Sequence, residues 1–292
     1  MIQRASGAIT GAIAHESVPM TFVRVLGRPY LRVTALRCIA SIFRNFFLPQ
    51  WHTALLPGRI PVSNADHPLD EKIPFIPHKI NTYIDFVALW IRSISFLLRY
   101  YGNRVQEPVR DFLESMGNLY AYAAEVYSEH LSTTYRPFYI GRFKFLSIHI
   151  LDPHLMCIPS LHVMVVIRTY TLFEKIVRGF ADDRRFTSQV EELRRDALDI
   201  TEAVLYVKQH SVNCIPAALY AMTRLDAVLF PPEEAVRFVY DLFTGSTRPD
   251  DADTVEIREH ILSLYNRFLA EGEESSDWKE PLLDFLKTLP NS

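Results

Sequence analysis

Two histidines carry the chemistry open to this chain. His162 stands three residues after Pro159 in the largely apolar run "LDPHLMCIPSLHVMVV", and His210 lies in "AVLYVKQHSVNC". A neutral imidazole whose far nitrogen is hydrogen-bonded can act as a nucleophile, and an imidazole near neutrality can hand a proton to a leaving oxygen. The serine before Leu161 opens an apolar segment of helical pattern, and the unpaired N–H groups of a helix start can receive phosphate oxygens. The bland alternative is the beginning of a buried helix.

Other chemistries are less well supplied. His149, His154, His162 and His210 invite a metal reading, but the first three lack i, i+4 spacing and no carboxylate pair accompanies them, so no metal and no cofactor are expected. Cys38, Cys157 and Cys214 are too few and too far apart for a disulfide framework or a zinc knuckle, which makes a reducing compartment the default. Cys157 has no nucleophile signature beyond a nearby histidine. The repeated "CIP" at 157–159 and 214–216 suggests two cysteines near one pocket. A net charge of −3 gives no global case for nucleic-acid binding.

The elements that must position these residues read as helices. Apolar content of 49% is ample for a packed core, and periodic patterns run over about 31–47, 80–101, 105–130, 161–178, 186–210, 217–230, 232–243 and 252–271. Residues 48–79 hold six prolines and read as a connector. Phe186, Val190, Leu193, Ala197, Ile200, Val204 and Val207 form one apolar stripe. Eleven of the twenty-two residues from Ala181 to Glu202 are charged, which puts the opposite face in water. No window offers about 18 uninterrupted apolar residues, since Asp85 and Arg92 interrupt the best one. A cytoplasmic or peripheral location is expected, with an integral membrane protein as the alternative. The first fifty residues hold six arginines against one acid. On 21–47 this suggests an amphipathic helix for an anionic membrane surface; the competing expectation packs Leu36, Ile39, Ala40, Phe43 and Phe47 on the core, with Arg37, Ser41 and Arg44 in water.

Four segments resemble one family. "DPHLMCIPSLHV" is similar to the second signature of the type 2 phosphatidic acid phosphatase superfamily, in its inositol-phosphotransferase-like branch, and "AVLYVKQHSVNC" to the third. "YRPF" supplies the Arg-Pro of the first, and "DEKIPFIPHKINTY" resembles the entry to the first core helix. The resemblance covers roughly residues 70–225 and implies an all-α helical bundle. With it, residues 1–69 are a basic helix and connector, 70–230 the phosphatase-like core, and 231–292 C-terminal amphipathic helices. It further implies a phosphohistidine at His210, leaving-group protonation by His162, and phosphate binding by Arg136 and Ser160. Lys208 and Arg142, with Lys144, are candidates to replace lost positive charge.

The chain departs from the pattern at sensitive places. The orienting aspartate after the nucleophile is Cys214, the Ser-Arg of the third signature is Ala203-Val204, and a lysine of the first is Glu129. Asn213, three residues beyond His210, could accept the imidazole Nδ1 proton if the helix continued. Two functional expectations follow. One is a hydrolase or phosphotransferase for a lipid-type or small phosphorylated substrate. The other is a degenerate relative that binds a phosphorylated or lipid ligand, or a protein partner.

Overall fold

A computed structural model describes residues 11–55, 58–139, 141, 143–145, 148, 152–180, 185–245 and 248–292. Helices α1 (Val18–Leu26) and α2 (Pro29–Ile42), a π-helical turn (Phe43–Phe47) and α3 (Leu48–Leu55) come first. Strand β1 (Val62–Asn64) and two 3-10 turns (Pro68–Lys72 and Pro77–Lys79) lead to α4 (Ile80–Tyr101), α5 (Gln106–Tyr127) and β2 (Leu131–Thr133). There follow α6 (Leu161–Gly179), α7 (Thr187–Tyr206), α8 (Cys214–Leu225), α9 (Pro232–Asp241), α10 (Asp251–Glu274) and α11 (Glu280–Thr288). The architecture is all-α, with one short parallel strand pair in the register Val62 to Leu131.

Helix α6 forms the axis. Leu161, Val163, Met164, Val165, Val166 and Ile167 are successive or near-successive buried residues, a pattern for a helix enclosed on all sides, and it packs on α4, α5, α7 and α8. Tyr127, at the end of α5, donates its hydroxyl proton to the Pro159 carbonyl and so pins the entry to α6. Helix α4 spans the predicted 80–101 and closes at Gly102, whose φ of +58° suits a residue without a Cβ. The two charges that interrupted its apolar window answer each other, Arg92 gripping Asp85 through both guanidinium nitrogens at 2.8 and 2.9 Å.

Three expectations are corrected. Residues 48–55 continue as helix inside the expected connector, because Pro49 falls in the first turn of α3, where its missing N–H costs little. Helix α7 ends at Tyr206, not at 210, and its polar side is not all in water: Glu202 is buried and accepts from the Phe243 N–H at 2.5 Å. On α2 the inward side carries Leu31, Thr34, Ala35 and Cys38, while Leu36, Ile39, Phe43 and Phe47 are exposed. Ser41, expected in water, donates to the Gly117 carbonyl of α5 at 2.6 Å. Gly117 faces α2 across this contact, where an added Cβ would lie at an ordinary packing distance of 3.4 Å from the Cys38 Cα.

The C-terminal helices close over α8. Gly272 of α10 sits where an added Cβ would meet the Tyr220 hydroxyl at 2.3 Å, and that tyrosine is fully buried with its hydroxyl donating to the Trp278 carbonyl at 2.8 Å. Gly272→Ala is expected to destabilise by about 2–3 kcal/mol through overpacking. The measurement is the urea midpoint, which should fall at constant m-value.

Candidate functional site

The site forms where four separated segments meet. Ser160 is the N-cap of α6, and its hydroxyl caps no N–H of its own helix; it lies 3.5 Å from His210 Nε2. His162, the second residue of α6, places Nδ1 at 3.1 Å from the same His210 Nε2. The His162 ring is stacked on Tyr83 at 4.6 Å and leans on Phe86 at 4.3 Å, both from α4. Burial drives both imidazoles toward the neutral form, His162 well below the usual range and His210 to about 3.

His210 is set by the way α7 stops. Lys208 takes a left-handed conformation at φ +54°, and the N–H groups of Gln209 and His210 turn back to the Val204 carbonyl at 3.0 and 3.2 Å. The chain is therefore not helical at 207–213, and helix-spacing arguments about its neighbours fail. Lys208 does share the His210 pocket, but its ammonium donates to the Asp70 and Ile73 carbonyls. Asn213 is not at His210 Nδ1. Its amide donates to the Ala65 carbonyl at 3.1 Å, and its oxygen meets His260 Nε2 at 2.8 Å. No group among the described residues meets His210 Nδ1 in hydrogen-bonding geometry, although the Cys157 backbone lies close enough to support its proton affinity slightly.

Arg136 reaches the site but is already held. Its Nε donates to Gln209 at 3.1 Å, and both terminal nitrogens donate to the Asp152 carbonyl at 3.2 Å. The Asp152 carboxylate is 3.6 Å away. Arg142 lies outside the described residues, as does His149. Lys144 is drawn to Asn81 of α4 at 2.7 Å, and Glu129 pairs with Lys279 at 2.9 Å. Ala203 and Val204 are core residues. Cys157 and Cys214 are free, fully enclosed thiols whose pKa burial raises.

A pocket of about 590 Å³ opens at His210, lined among others by Asp66, Asp70, Glu71, Phe75, Tyr135 and Lys208. Several residues that build it carried no chemical assignment in the sequence reading. Asp70 accepts from the His67 and Val212 N–H groups, both at 2.8 Å, and so clamps the turn after His210. Asp66 accepts from the Tyr135 N–H with both oxygens at 3.0 Å. Thr134 bonds His154 at 2.8 Å. Gln209 and Asp152 stand inside the very motifs that carry the family resemblance, and only their side-chain partners were hidden. Among the described residues no three His, Cys, Asp or Glu side chains converge as a metal set. Comparison with protein-family models, curated proteins and solved structures found no match.

Proposed function

We propose that this chain is a phosphatase-shaped binding protein, whose pocket at His210 holds a small phosphoester without turning it over. One observation carries the reading: the presumptive nucleophile and proton donor are in contact, Nε2 to Nδ1 at 3.1 Å. In-line transfer needs phosphorus about 3–3.5 Å from the attacking nitrogen. It also needs the leaving oxygen within about 3 Å of the acid on the far side. The two nitrogens would then stand at about twice the observed separation. His210 Nδ1 has only the Cys157 backbone near it, and no carboxylate among the described residues orients the ring.

The charge pattern supports a sorted ligand. Lys208 offers the pocket a cation and His210 a hydrogen-bonding edge, with Arg136 and Ser160 behind them, while Asp66, Asp70 and Glu71 line the pocket with negative charge. A phosphoester with a cationic amine at its other end satisfies both, phosphoethanolamine being the simplest. The second reading, a working hydrolase or phosphotransferase, draws on the convergence of Arg136, Ser160, His162 and His210 from three signature segments.

Aryl phosphate hydrolysis separates the two. Wild type is expected to run no faster than His210→Ala, while phosphoethanolamine raises the melting temperature of wild type more than glycerol phosphate does. A rate that falls by about a thousandfold or more in His210→Ala would establish the hydrolase instead.

A further inference from the structure

The largest unexplained surface is the outward side of α1–α3. Among the described residues, twelve of the nineteen exposed large apolar side chains lie between Met20 and Leu55, including Phe22, Val33, Leu36, Phe43, Phe47 and Trp51. On α2, Val33, Leu36, Ala40 and Phe43 recur at steps of three and four, so they form one stripe, and Arg37 and Arg44 run along its border. Scattered exposed apolar residues need no explanation, but a concentration of this kind marks an interaction surface.

We infer that α1–α3 is a docking face for an anionic lipid bilayer, lying in the plane of the interface. Charge complementarity selects this occupant. The first fifty residues carry six arginines and one acid, so the remainder of the chain carries −8 for the whole to reach −3. The lone acid, Glu16, is neutralised inside the fold by Arg24 at 3.0 Å and Arg99 at 2.5 Å. A second copy would bring two arginine-rich faces together, a like-charge contact that opposes pairing. An apolar stripe edged by arginines fits the boundary between acyl chains and acidic headgroups. Helix α2, with 14 residues, is about 21 Å long against a hydrocarbon core of about 30 Å, and no described helix is long and apolar enough to cross a membrane.

The face also touches the site. Gln50 of α3 donates to the Asp152 carboxylate, and Asp152 in turn holds Arg136. Docking would thus be linked to Arg136 through Asp152 and the buried Gln50, whatever the pocket binds.

The test is flotation of the full chain with vesicles of phosphatidylcholine alone and with about a third phosphatidylserine, at low and at about 0.5 M salt. Expected are at least tenfold stronger partitioning to the anionic vesicles, a salt-dependent loss, and a blue shift of Trp51 emission that Trp51→Phe removes. Leu36→Asp with Phe43→Asp should lower partitioning at least tenfold. Arg37→Glu with Arg44→Glu should abolish the preference for phosphatidylserine, and keeps the test open if the first pair fails to fold. Absent binding, equal partitioning to both vesicles, or a concentration-dependent dimer broken by Phe43→Asp would each overturn the inference.

Discussion

Asp70→Ala is expected to lower the unfolding free energy by about 3 kcal/mol and to blur the geometry of His210. The carboxylate sits at the end of a short capping turn, where one oxygen accepts from the His67 N–H and the other from the Val212 N–H. Val212 is fully buried, so no water can take over its bond. A buried donor left without a partner costs about 1–3 kcal/mol, and the half-buried His67 N–H is released with it. The turn from Lys208 to Asn213 has no ladder of its own to fall back on. Asp70→Asn keeps one acceptor oxygen and should recover roughly half of the loss. Urea midpoints of the three proteins measure this, and a loss under about 1 kcal/mol in Asp70→Ala would show that the turn is held by its packing alone.

Acidification is expected to unfold the protein cooperatively well above the pH at which ordinary carboxylates titrate. Burial holds His210 at about 3 and His260 at about 4, and depresses His162 and His130 as well. Each would titrate near 6.5 in the unfolded chain. The unfolded state therefore binds more protons between these limits. The associated stability is complete above pH 6.5 and is lost as pH falls toward the folded values, by up to about 1.4 kcal/mol per pH unit for each histidine. Three acids act in the opposite sense, Asp70 among them, since burial raises its pKa. Burial raises Glu202 to about 7 and Asp196 to about 6, so their contribution is present at low pH and is lost as pH rises through those values. Four histidines against three acids leave a net fall on acidification. The urea midpoint should drop steadily from pH 7 to 4.5, and His210→Gln should flatten the slope by close to one proton. An unchanged slope would mean that the imidazole is solvated in the native state.

Much of this molecule was legible before its coordinates. The α4 boundaries follow from an apolar period ended by Gly102, and the buried stripe from Phe186 to Val207 follows from steps of three and four. Ser160 and His162, singled out by motif resemblance, lie within 3.5 Å of His210 Nε2, a proximity no periodicity could have supplied. The end of α7 was not legible, because nothing in "YVKQHS" announces a left-handed lysine; Asp70, far away in sequence, enforces it. The outward face of α2 stayed open between two readings for a related reason. Apolar periodicity reports which side of a helix avoids water, and gives no hint whether protein or another apolar phase is to cover it. Side-chain competition was equally hidden: Asn213 was near in sequence, yet His260 and Ala65 claim its amide.

The three thiols give the fold a built-in set of clocks. Cys38 is enclosed where α2 meets α5, and Cys157 and Cys214 are enclosed around the His210 site; burial keeps all three protonated at neutral pH. An alkylating reagent reacts with thiolate, so labelling can proceed only when the local structure opens. The order in which the cysteines are modified in the native protein would then time two separate events, release of the arginine-rich layer and breathing of the pocket. Membrane contact should slow the first clock and ligand the second, so one mass spectrum could follow both sides of the molecule at once.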